Sequence, residues 1–120
     1  MMTSELIDSY YEGLTRKDGW QAFISDTMTF MSPGGAVTEG SAAFIEGNRR
    51  FLRAVQGATK KQAIIDGDTA CIWMSYALVS PRGKQATLDV VEIWTVKGGR
   101  LDSLRIYFDT EAFRTFMQAA

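Results

Sequence analysis

One carboxylic acid stands out by its surroundings. Side chains alternate along an extended chain, so Leu88, Val90, Glu92, Trp94 and Val96 share one face of a strand, and Thr87, Asp89, Val91, Ile93 and Thr95 share the other. The first face is apolar except for Glu92. Turned inward, that face would strip water from the carboxyl group and lift its pKa, the condition under which a glutamate gives and takes protons near neutrality. A buried glutamate satisfied by one structural hydrogen bond fits the same pattern. Tyr10, on the apolar stripe of a helix, and Ser32, after the first strand, carry hydroxyls able to hold a ligand's oxygen; the stripe also accounts for Tyr10 as a core residue. The chain has no histidine, which removes Ser-His-Asp and Cys-His nucleophiles and histidine-bound zinc. Cys71, the single cysteine, lies in the apolar run Ala70–Trp73 and reads as an inert, buried thiol.

Composition narrows the classes further. A chain of 120 residues, 46% hydrophobic and 22% charged, is one folded domain over residues 1–120. Thirteen basic residues against fourteen acidic give a net charge of −1, so phosphate neutralisation and nucleic acid are not expected. No apolar run reaches the ~20 residues of a membrane span, and none suits a signal peptide. With a lone cysteine, this predicts a cytoplasmic protein without membrane contact. No phosphate loop, dinucleotide fingerprint or metal-ligand spacing is present, so neither a cofactor nor a metal is expected.

The elements that must position these groups follow from periodicity. Leu6, Ile7, Tyr10, Tyr11 and Leu14 fall at helical spacing and predict a helix over residues 3–17, broken by Asp18-Gly19. Trp20, Phe23 and Ile24 mark a second, short helix, and Thr27–Met31 a strand closed by Ser32-Pro33-Gly34-Gly35. A third helix opens at Gly40-Ser41 with Ser41 as its N-cap, carries Phe44, Ile45, Asn48, Phe51, Leu52 and Val55, and ends at Gly57. Four strands follow: Thr59–Ile65, Thr69–Ser80, Lys84–Val96 and Arg100–Phe108, with Asp66-Gly67 and Gly98-Gly99 as tight turns. Asp109 or Thr110 caps a final helix bearing Phe113, Phe116 and Met117. Strands longer than the usual ~5–6 residues accumulate twist and curl. The expected fold is therefore α+β: a curved antiparallel sheet wrapped around the N-terminal helices as a cone, a cystatin-like half-barrel, with an apolar hollow at its wide end.

The order and spacing of several segments carry a family resemblance: Tyr10-Tyr11-Glu12-Gly13-Leu14; Ser25–Phe30 followed by Ser32-Pro33-Gly34; Asp66-Gly67-Asp68; Leu88–Trp94; Gly98-Gly99-Arg100-Leu101; and Tyr107-Phe108-Asp109. Over nearly its whole length the chain resembles the nuclear transport factor two-like superfamily, in the branch of ketosteroid isomerases and SnoaL-type polyketide cyclases. The resemblance implies a hydroxyl-donating tyrosine at Tyr10 and a protonated acid at Glu92, the latter being the use of a neutral carboxylic acid for which ketosteroid isomerase is the known example. It also places Ser32 where the isomerases hold their aspartate base, and Ile106 where the cyclases hold theirs. Homodimers packed through the outer sheet face are common in that superfamily.

Two functions are open on this reading. One is an isomerase or cyclase acting on a small hydrophobic carbonyl compound, with Glu92 as acid and base and Tyr10 or Ser32 on the ligand's oxygen. The other is a non-catalytic, dimeric module that binds a small apolar ligand or a partner. In both, Phe30, Trp73, Leu88, Val90, Trp94, Leu104, Ile106 and Phe108 wall the hollow, and the outer face joins two copies.

Overall fold

The computed structural model describes residues 2–118. Helix α1 spans Thr3–Arg16 and buries Leu6, Ile7, Tyr10, Tyr11 and Leu14, the stripe expected from its periodicity. Glu5 reaches back to accept the Met2 backbone N–H at 2.9 Å, closing the first turn. The C-terminal end folds over Gly13, whose carbonyl accepts the Asp18 N–H at 2.9 Å. A Cβ at position 13 would lie 2.8 Å from the Trp20 backbone nitrogen. Only glycine lets the chain turn this tightly into the single 3-10 turn Trp20–Phe23.

Strand β1 (Ile24–Met31) follows at once, three residues earlier than expected, because Ile24 joins the sheet instead of the preceding helical turn. A short strand not anticipated from sequence, β2 (Val37–Glu39), pairs back onto β1; all three residues are exposed and carry no burial pattern. Helix α2 (Ser41–Ala54) has Gly40 at the N-cap, with Ser41 inside the first turn. It passes directly into β3 (Val55–Asp66), so Gly57 lies within that strand, at a register shift, and does not end the helix.

β3, β4 (Thr69–Val79), β5 (Gln85–Lys97) and β6 (Arg100–Phe108) form the expected antiparallel meander. Gly98 and Gly99 both take positive φ in the β5–β6 turn, which matches hairpin twist. Helix α3 (Thr110–Gln118) starts where Asp109 Oδ1 accepts the Ala112 N–H at 3.0 Å.

The six strands make one curved, unclosed sheet in the order β2-β1-β6-β5-β4-β3. Every pair is antiparallel except β1 with β6, which is parallel. α1 packs on β3 and β4, α2 on β1 and β2, and α3 on β5. Helices on one side of a curled sheet place the core between them. The inward row of β4 (Ala70, Ile72, Met74, Tyr76, Leu78) faces the helices together with Leu88, Val90, Glu92 and Trp94 of β5. No helix is long and apolar enough to cross a membrane among the described residues.

Candidate functional site

Between the sheet and α2 lies a cavity of about 550 Å³, of a size to hold one small organic molecule. Phe30 of β1, Leu88 and Val90 of β5, and Leu104, Ile106 and Phe108 of β6 line it. Phe51 of α2 and Phe113 of α3 join Phe108 in an aromatic cluster, the Phe113 ring centroid lying 5.5 Å from that of Phe108 and 6.4 Å from that of Phe51. Against these walls Glu92 is the one acid carried by the sheet, and its residue exposure is only 9%.

Glu92 is held by two tyrosines. The Tyr11 hydroxyl donates to Oε1 at 2.5 Å, and the Tyr76 hydroxyl reaches both carboxyl oxygens at 3.1 Å. Behind Tyr11, the Trp94 indole N–H donates to the Tyr11 oxygen at 2.9 Å. Burial pushes the Glu92 carboxyl up to about pH 7, and the two tyrosine hydrogen bonds oppose the rise. The tyrosines themselves are pushed well above the ordinary phenol range by burial and by the neighbouring carboxyl, so they remain neutral donors.

Tyr10 and Tyr11 are neighbours on one helix but serve different partners, since successive residues project about 100° apart. Tyr11, which the sequence reading placed only on the buried stripe, meets the Glu92 carboxyl group. Tyr10 instead lines the cavity and accepts the Asn48 side-chain N–H at 3.1 Å, which leaves its own proton available to a ligand. Its ring packs edge-on against Trp94, centroids 4.8 Å apart.

Two expected wall residues lie elsewhere. Trp73 is 40% exposed on the outer face, because it pairs with Val91, whose side chain opposes that of Glu92 in the strand alternation. Trp94 has the right parity but sits past the end of the hollow, fully buried against Tyr10 and Phe44. Ser32 touches the cavity's edge, with its hydroxyl turned to the Ala36 carbonyl at 3.4 Å in the β1–β2 turn. Sequence reasoning missed Tyr76, which sits opposite Leu88 and reaches along β4 to Glu92. It also missed Asn48 as a polar partner, although the residue's place on the apolar stripe of α2 was the available signal. Glu46 and Arg50 of α2 also border the cavity. Among the described residues no cluster of three or more His, Cys, Asp or Glu side chains is arranged to hold a metal ion.

Solved structures share this architecture over nearly the full chain. A protein from Kribbella flavida DSM 17836 is 25% identical, with a TM-score of 0.82 and coverage of 96% of this chain and 93% of its own. TerC, crystallised with polyporic acid, is 25% identical at a TM-score of 0.83, covering 97% and 98%. A structure named for a SnoaL-like polyketide cyclase, from Jannaschia sp. CCS1, is 15% identical at a TM-score of 0.84, covering 98% and 92%; at that identity the likeness is one of fold. A comparison with curated proteins finds no match. The SnoaL-like domain family matches residues 7–103. With the cone and its spacing in place, the chain belongs to the SnoaL-like domain family.

Proposed function

We propose that the chain binds a small, largely aromatic carbonyl compound in the cone and shifts a proton on it. Glu92 acts as acid and base, and the Tyr10 hydroxyl holds the ligand's oxygen. One observation carries this reading: a single carboxyl group, with its pKa raised to about 7, among the apolar walls that β5 and β6 give the cavity. At neutral pH both of its forms are populated. The carboxylate removes a proton from the carbon next to a ligand carbonyl, and the electron pair moves to the carbonyl oxygen. That oxygen meets the free Tyr10 O–H, and the now neutral Glu92 returns the proton at a second carbon. The crystallisation of the similar TerC with polyporic acid supports a small organic molecule as occupant.

A non-catalytic reading rests on the places where isomerases and cyclases of the nuclear transport factor two-like superfamily hold an aspartate. Here they are Ser32, turned to a backbone carbonyl, and Ile106, an apolar wall residue. Enones and hydroxyquinones titrated against tryptophan fluorescence, followed by turnover at pH 7, separate the two. Glu92→Gln is expected to lower turnover by roughly 10²–10⁴-fold while affinity changes a few-fold. Equal turnover by both proteins would overturn proton transfer by Glu92. Binding without turnover in either protein would establish the module.

The outer face supports a second copy of the chain as partner. Trp73, Val91 and Tyr107 align in one row across β4, β5 and β6, with Trp73 and Tyr107 40% and 46% exposed. In the next row Cys71 and Ile93 pair, with Ile64 of β3 beside them.

A further inference from the structure

We infer that Trp94, which lies outside the cavity, is a positioning residue that decides which oxygen of Glu92 carries the proton; the inference rests on Glu92 being the acid and base proposed above. An indole N–H can only donate, and it donates to the Tyr11 oxygen at 2.9 Å. Tyr11 then has one proton to give, and it goes to Glu92 Oε1 at 2.5 Å. Tyr76 also has a single proton, shared between Oε1 and Oε2 at equal distances of 3.1 Å. Oε1 therefore receives one whole donor and a share of another, whereas Oε2 receives only the share.

A neutral carboxyl group keeps its carbonyl character on the oxygen that accepts more hydrogen bonds and carries its O–H on the other. Oε1 is tied to Tyr11, which does not border the cavity, so the mobile proton belongs to Oε2 of a side chain that itself lines the cavity. Without the indole N–H, the Tyr11 hydroxyl would be free to turn and accept from Oε1–H, and the proton would sit on the wrong side. The titratable groups facing Glu92 are Tyr10 and Tyr11 of α1 and Tyr76 of β4. β6 presents only Ile106 opposite it, while Glu46 and Arg50 of α2 border the same cavity.

The test uses the ligand-free protein and the infrared C=O band of Glu92, isolated by subtracting the spectrum of Glu92→Gln, from pH 5 to 9. Tyr11→Phe keeps the ring and removes the donor. It is expected to move the titration midpoint upward by about one pH unit and the C=O band to higher frequency. Trp94→Phe is expected to move both in the same direction by less. Because Trp94 fills the core, β-(3-benzothienyl)alanine at position 94 serves as a second variant, keeping the double ring while losing the N–H. A midpoint and band unmoved in Tyr11→Phe and in the position-94 variant overturn the inference, as does a loss of stability with no spectral change. The band requires no ligand, so failure here leaves turnover by Glu92 a separate result, and absent turnover leaves the proton's location measurable.

Discussion

A glutamate whose pKa is raised by burial makes the fold sensitive to pH in a defined direction. The Glu92 pKa is about 7 in the folded chain against 4.5 for the free side chain. Below pH 4.5 both folded and unfolded states hold the proton, and the full stability is present. Between pH 4.5 and 7 the unfolded chain releases it first, so stability falls as pH rises, by on the order of 3 kcal/mol in all, and levels off above 7. Glu92→Gln is expected to abolish that decline, leaving stability at pH 4 little changed and raising it at pH 8 by roughly 1–3 kcal/mol, as read from urea midpoints at the two pH values. Glu92 was legible in the sequence because one acid interrupts an apolar face. Its partners were not. Tyr10 and Tyr11 both sit on the buried stripe, and only the angle between neighbouring helical residues settles which one meets the acid. Tyr76 looks like any aromatic residue at strand spacing until the curl of the sheet brings its hydroxyl along β4.

The turns of the meander and the lengths of β4, β5 and β6 could be read directly, since Asp66-Gly67 and Gly98-Gly99 interrupt runs of alternating residues, whereas β3 begins at Val55, four residues before the expected Thr59. β2 could not, because a three-residue exposed strand has no buried face to betray it. The end of α2 was misplaced for a related reason: Ala54 and Val55 join helix to strand with no turn residue between them. Two substitutions probe how the elements are joined. Gly13→Ala forces a methyl group into the Trp20 backbone and is expected to cost roughly 1–3 kcal/mol, seen as a lowered denaturation midpoint. Asp109→Ala removes the cap of α3 and is expected to cost about 1 kcal/mol. Its signature is faster amide exchange confined to α3, the element that sets Phe113 against the cavity.

At the scale of the whole molecule, the inward and outward faces of β4 separate two roles that a string of aromatic residues had merged. Trp73 belongs to the outside, and its substitution tests assembly and not ligand binding. Trp73→Lys is expected to convert the proposed dimer into a monomer in sedimentation velocity, with ligand affinity unchanged; a wild type that sediments as a monomer would remove the dimer. The parallel pairing of β1 with β6 has a consequence for synthesis of the chain. Phe30 is in register with Leu104 across that pair, so the first strand made waits for the last. While the ribosome is still adding the meander, β1 has no neighbour on that side, and Ile24, Met28 and Phe30 have no finished wall to cover them. Because β6 lies between β1 and β5, the wall of the binding chamber is complete only once Arg100–Phe108 has been added to the chain.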